Sequence, residues 1–578
     1  MAIKKQTYGR LALNICILIL VNVLASMLFF RIDLTTDKRH SLSDTSKDIL
    51  QELDDIVYVK VYLEGEFPAG FTRLQNATHQ LLNEFRSYSS FLEYEFINPS
   101  ENTNQEERNN LYRQLYEQGL EPTNLQVQEK NGSSEQIIFP GAIIYYKGVN
   151  VSLNLLQGQF GTHHEVVLNN SIANLEYEFS NAFLKLFEQR KPRIAFIEGN
   201  EELSIAETID ITNSLGVEKG SLSEYYQVER FDIKEFTIDS VTQKASIQKQ
   251  LETMTLFQAI IIAKPNTPFN NLDKFLIDQY IMQGGKVLWF IDGVAMDMDS
   301  LNNGNAFSMA LPLQLNIDDM LFKYGVRVNA DLVMDMQSDE IPVVTGYQGD
   351  RPQQGMFPWF YNPLVIPKNT HPISKNLDAL RTTFVSTIDT VNTNSIKKTP
   401  LLFTSPYTKL VKSPHRVSLN ILEREPKLDQ YKAGEQMIAV MLEGKFSSVF
   451  ENRINPINKK IPLLSKSEET KMIVVADGDI IKNHVSKSGN AYPLGYNPYN
   501  NQQYNGNKKF IINALNYLLG KEELLLIRSR ELKLRLLDKN ELANNRFFWQ
   551  IINILTPLLF IAILGLVWTM NRKRKFST

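Results

Sequence analysis

Cysteine is almost absent: Cys16 is the single example in 578 residues, and it sits inside an apolar run near the start of the chain. No intramolecular disulfide, thiolate zinc site or thiol nucleophile can therefore exist in the polar part. Charge of one sign is also lacking. With 61 Lys and Arg against 64 Asp and Glu, the formal net charge is −3, too small a field over this length to argue for a nucleic-acid partner, and no RNA- or DNA-reading motif occurs. The nucleotide motifs are missing as well. There is no G-x-x-x-x-G-K-[ST], and the "GGKV" at Gly284–Val287 matches only its tail, so the chain supplies no ATPase of its own. Neither G-x-G-x-x-G nor a G-x-S-x-G elbow is present, and there is no internal repeat or long low-complexity tract.

What the sequence does contain is two long uncharged runs. Residues 11–30, "LALNICILILVNVLASMLFF", and residues 547–570, "FFWQIINILTPLLFIAILGLVWTM", each suffice at about 1.5 Å per residue to cross a hydrocarbon core of about 30 Å. Lys4, Lys5 and Arg10 precede the first run, which is too long for a signal peptide and has no clear cleavage site after it, so it reads as a retained anchor. Trp549 and Trp568 flank the second, and "NRKRK" follows it. Two spans put both termini on one side. Basic residues also crowd the other side of the second span, between Arg528 and Arg546, but long domains translocate largely regardless of charge, so the termini are expected in the cytoplasm and residues 31–546 outside it. Asn22 in the first run and Asn553 in the second fall at comparable depths, Gln550 shares a helix face with Asn553, and polar groups in hydrocarbon normally face another helix; these three are the candidate helix-packing residues.

Between the spans the pattern is α/β. Ser43 is placed to cap a helix starting at Asp44, where Ile49, Leu50 and Leu53 form an apolar stripe. "IVYVKVYLEG", a helix-like stretch, "LEYEFINP", a helix near 105–118, "NLQVQEK" and "QIIFPGAIIYYKG" then give βαβαββ, a pattern that suits a thioredoxin-like subdomain without its Cys-x-x-Cys. After a helix over 169–188, the short apolar runs "RIAFIEGNEE", "YQVERFDI", "AIIIAKP" and "KVLWFIDG" alternate with helical stretches and predict a doubly wound parallel sheet. Residues 306–462 read as an insertion with strands of its own, after which "KMIVVADGD" is a buried strand returning to the same sheet.

Ligands of open α/β sheets bind at the carboxyl ends of the strands. Acids stand there in this chain: Glu201 and Glu202 after "IAFIEGN", Asp292 after "VLWFI", Asp477 and Asp479 after "IVVA". They are the candidate ligand-binding residues, although Gly and Asp at strand ends also serve simply to turn the chain and cap the next helix. No catalytic residue, metal site or cofactor is expected, since two acids without further ligands at fixed spacing do not define a metal site. The adjacent His163 and His164 read as a solvated loop.

The order of segments resembles a known family. "DLTTDKRHSLSDTSKDIL", "VKVYLEGEFPAGF", "FPGAIIYY", "LDKFLIDQYIMQGGKVLWFID", "LEGKFSSVFENR", "VVADGDIIKN", "GNKKFIINALNYL", "IRSRELKLRLLDK" and the final span follow one another as in the auxiliary membrane subunits of gliding-motility ABC transporters, the GldG type. That resemblance implies an inner-membrane protein of gliding bacteria with a periplasmic body, non-enzymatic, partnered by a separate multi-span permease and a cytoplasmic P-loop ATPase, with a homodimer allowed in the complex. A tethered periplasmic ligand receptor is the alternative. The α/β part also looks like a class I amidotransferase-type domain, but "KVLWFID" leads to Asp292 where a nucleophilic cysteine would stand. The expected layout is a cytoplasmic stretch 1–10, span 11–30, stalk and thioredoxin-like subdomain 31–165, amidotransferase-like α/β domain 166–305, mixed insertion 306–462, return of the α/β domain 463–526, juxtamembrane helix 527–546, span 547–570 and basic tail 571–578.

Overall fold

The computed structural model describes residues 13–22, 41–129, 132–158, 163–187, 191–215, 220–236, 246–301, 307–367, 371–393, 395–453, 463–522, 525, 527 and 545–576. The chain forms two compact units, one of Met1–Arg39 with Glu531–Thr578 and one of His40–Arg530.

In the smaller unit, the helix Arg546–Phe576 contains a stretch of 29 residues, Arg546–Arg574, long and apolar enough to cross a membrane. It supports a membrane-associated protein. Of the first expected span, the described part is the apolar helix Leu13–Asn22; the rest of 11–30 lies outside the described residues, as does nearly all of the expected juxtamembrane helix 527–546.

The larger unit begins as its sequence indicates. Ser43 Oγ accepts from Ser46 N at 3.1 Å and caps the helix Asp44–Gln51, whose Ile49 and Leu50 are buried. Strands β1 (Val57–Val61) and β2 (Leu92–Phe96) run parallel around the helix Ala69–Tyr88. The hairpin β3 (Thr123–Glu129) and β4 (Gly132–Ile138) forms a separate two-stranded sheet, and β5 (Gly141–Tyr146) and β6 (Val149–Asn154) complete a four-stranded sheet of order β2-β1-β5-β6. β5 is antiparallel to β1 and to β6. Val57, Val59 and Val61 pack with Phe85, Phe179 and Phe183, the last two from the helix His164–Phe187. That helix starts earlier than the expected 169–188, and His164 is its first residue; both histidines are exposed.

A seven-stranded sheet carries the second core. Its parallel strands are β7 (Arg193–Glu198), β8 (Gln227–Asp232), β9 (Ala259–Ala263), β10 (Lys286–Phe290) and, after a long excursion, Lys466–Val475. Two antiparallel strands extend the edge: β11 (Ile396–Phe403) and β12 (Met437–Ser447), so that with β13 for Lys466–Val475 the order is β11-β12-β13-β10-β9-β7-β8. Counted as five parallel strands, the chain order is 2-1-3-4-5, one of the two common doubly wound arrangements. Both faces are covered because successive residues of a strand point opposite ways. Ile194, Phe196, Leu288 and Phe290 pack with Phe510, Ile511 and Leu515 of the helix Gly506–Leu518 on one side. Ala195, Ile197, Val287 and Trp289 pack with Phe275, Leu276 and Tyr280 of the helix Asn271–Met282 on the other. Burial on two faces explains why these strands read as unbroken apolar runs.

The segment read as an insertion is divided. β11 and β12 join the main sheet, while Ser338–Gln348 and Arg351–Val365 form a long antiparallel hairpin around a separate core containing Trp359, Phe360 and Tyr361.

Candidate functional site

Three of the five acids expected at strand ends meet. Asp292 follows β10, and Asp477 and Asp479 follow β13; since those strands are neighbours in register, their carboxyl ends emerge side by side. The three carboxylates each offer an oxygen within 4.8 Å of the others. Glu201 and Glu202, after β7, stand apart from this group but share a cleft of about 460 Å³ with Asp292. Glu201 has left-handed backbone (φ 56°), which turns the chain over the strand end.

The residue that organises the cluster is a cation that sequence reasoning missed. Lys264 follows β9, its φ of 53° bends it inward, and it is only 6% exposed. Its Nζ lies 2.6 Å from Asp479 Oδ2 and 3.2 Å from Asp292 Oδ2. The signal was present in "AIIIAK", a basic residue directly after a buried strand that must surface at the same end of the sheet as the acids.

Backbone donors complete the shell. Asp292 Oδ1 accepts from Gly478 N at 2.6 Å, Asp477 Oδ1 from Asp479 N at 2.7 Å, and Asp477 Oδ2 from Thr383 N at 2.9 Å. Asp477 is thus also the N-cap of the short turn Gly478–Ile481. Burial raises the pKa of Asp292, against which Lys264 pulls downward. Asp477, completely buried, is raised well above its usual 3.8 by burial and then by its neighbours Asp479 and Asp292. Burial disfavours the Lys264 ammonium, but Asp292 and Asp479 outweigh it and its pKa is raised. On the cleft wall, Glu202 accepts from Asn200 N at 2.7 Å and is pushed up to about 6, chiefly by burial.

Chemically, this is a charge-compensated cluster. The ammonium of Lys264 holds the position between carboxylates that a cation ligand would take, and it is already engaged with two of them. The cleft is lined by acids at Glu201, Glu202 and Asp297, and by Lys482, which pairs with Glu207 at 3.3 Å. The three candidate packing residues lie in the smaller unit. Asn22 Nδ2 donates to Leu18 O of its own helix at 3.0 Å, and Gln550 and Asn553 are exposed on the helix Arg546–Phe576.

A family model described as a domain of unknown function matches residues 36–145. An uncharacterized protein of Borreliella burgdorferi is 22% identical over 99% of this chain and 99% of its own length. Among solved structures, the mmIFT52 N-terminal domain aligns with 56% of this chain and 97% of its own at 14% identity, with a TM-score of 0.29. The model of the ABC-type uncharacterized transport system matches residues 191–514, which hold the whole seven-stranded sheet and the acidic cluster. Spanning more than half of the sequence, that match makes the chain a member of this family of non-catalytic ABC-transport auxiliary proteins.

Proposed function

We propose that the chain is the membrane-anchored, extracytoplasmic subunit of an ABC transporter associated with gliding motility, working without catalysis beside a separate multi-span permease and a cytoplasmic P-loop ATPase. The observation that carries this reading is the auxiliary-family match over residues 191–514, on a chain that also has a membrane-length helix at Arg546–Arg574. In it the runs 11–30 and 547–570 both span the inner membrane, the termini are cytoplasmic, and residues 31–546 are periplasmic. Asn22, Gln550 and Asn553 pack against each other's helices or the permease. The order β2-β1-β5-β6 with β5 reversed supports a thioredoxin-like fold for the first subdomain, and the order 2-1-3-4-5 supports kinship of the second with class I amidotransferases. The test is purification of the tagged full-length protein in mild detergent from its host, with mass spectrometry and an ATPase assay. Recovery of a permease and a P-loop ATPase, lost when both apolar runs are replaced by unrelated ones, is the expected result; recovery of the protein alone in good yield overturns it.

One observation favours a second reading, a tethered receptor. The cleft of about 460 Å³ at the strand ends, lined by Glu201, Glu202 and Asp292, has the size of a small-molecule site. Asp477 and Asp479 would then tune it from behind Lys264. Ligand-dependent stabilisation of the full chain, abolished by Glu201→Gln with Glu202→Gln, distinguishes a receptor from a purely structural subunit.

A further inference from the structure

A second cavity, of about 120 Å³, lies away from the acidic cleft where the N-terminal sheet meets the seven-stranded domain, within the unit His40–Arg530. Its walls come from β6, from one face of the helix His164–Phe187 and from one face of the helix Gly506–Leu518. Two lysines of the lining already have counter-charges: Lys185 Nζ is 2.7 Å from Glu224 Oε2, and Lys508 Nζ is 2.9 Å from Asp210 Oδ2. They call for no charge from a ligand. The remaining charges are Lys509 and Glu178, and one side chain stands between them. Lys509 Nζ lies 3.5 Å from Gln157 Oε1, at the outer limit of a hydrogen bond, while Gln157 Nε2 donates to Glu178. The glutamine amide fills the place of something with a positive and a negative end.

Unpaired atoms in the same walls point to a ligand independently. Asn181, 6% exposed, donates from Nδ2 to Tyr225 Oη at 2.9 Å, and its Oδ1 has no partner. Ser152 Oγ, also on the lining, is buried and unpaired. Buried polar atoms are nearly always paired, and two residues lining this one cavity carry such orphans, which a partner from outside the chain would satisfy.

We propose that this cavity binds a small amino acid in its zwitterionic form, with the ammonium group held by Glu178 and Asn181 Oδ1, the carboxylate by Lys509 and Ser152 Oγ, and Gln157 displaced. The volume admits a compact molecule, and the balance of charge rejects a simple anion or cation. Because its walls belong to both sheets' domains, occupancy would fix one domain against the other, a coupling suited to a subunit that reports the presence of a solute.

The experiment is calorimetric titration and thermal unfolding of the detergent-solubilised full-length protein with glycine, alanine, serine and threonine, and with inorganic phosphate, acetate and ethylamine as single-charge controls. At least one amino acid is expected to raise the Tm saturably, while none of the controls does. Lys509→Met, a substitution at a half-buried side chain that keeps the fold, and Asn181→Leu should each weaken binding by about tenfold or more, as loss of a hydrogen bond to a charged group does. No shift with any of the four amino acids at millimolar concentration, an equal shift with acetate or phosphate, or unchanged affinity in Lys509→Met overturns the proposal.

Discussion

Lys264 Nζ lies 2.6 Å from Asp479 Oδ2, a contact between the ends of two strands that are separated in the sheet by a third. This bond, with the 3.2 Å contact to Asp292, turns a concentration of acids into a structural cluster. Lys264→Met should therefore leave carboxylates buried without a counter-charge and cost about 3–5 kcal/mol in chemical denaturation. The pH dependence has a defined sign. The folded pKa of Lys264 is raised above its usual 10.5, so its contribution is complete below about that pH and is lost only as the pH rises through the folded value. Asp477 is raised too, and its protonation offsets the missing ammonium, so the defect of the variant should shrink as the solution is acidified. A defect that is constant with pH would show that Lys264 acts through packing alone.

Glu202 offers a simpler titration. Its folded pKa of about 6 lies above the usual 4.5, so the folded state holds the proton more tightly, and stability falls as the pH rises from 4.5 through about 6. Glu202→Gln removes that loss. After allowance for partial exposure, the variant should exceed the parent by about 1 kcal/mol at about pH 7 and match it at about pH 4, as measured by urea unfolding at the two pH values.

Gly478 leaves no room beside the cluster. A Cβ there would meet Lys264 Cγ at 2.5 Å and Cβ at 2.6 Å, atoms close to the main chain that cannot swing away. Gly478→Ala should cost about 1–3 kcal/mol by overpacking. Gly434→Ala is the control for conformation without collision, since φ there is +80° and nothing lies within 4 Å; it should cost about 1 kcal/mol.

The asparagines of the apolar runs test the membrane assembly. If Asn22 and Asn553 form a helix-packing surface, replacing both with Leu should lower recovery of a co-purifying permease by roughly tenfold while leaving the yield of the protein unchanged. Equal recovery from the double variant and the parent would remove that surface from the reading.

Much of this protein is written locally. The cap at Ser43, the period-2 and continuous apolar runs of β1, β7, β9, β10 and β13, and the membrane-length helix at Arg546–Arg574 each follow from residues adjacent in sequence, because capping, side-chain alternation and hydrophobic length are short-range properties. The acids at 292, 477 and 479 were visible for the same reason: each ends an apolar run. Sequence did not determine that β11 and β12, from the segment resembling an insertion, would extend the main sheet, since an edge strand is chosen by hydrogen-bonding partners far along the chain. Nor could it separate Glu201 and Glu202 from the three aspartates, or bring Lys264 between them, because those outcomes depend on strand order. Local chemistry set which residues stand at the ends of strands; only tertiary pairing decided which ends are neighbours, and with that whether the acids are left open to a ligand or compensated by the protein's own lysine.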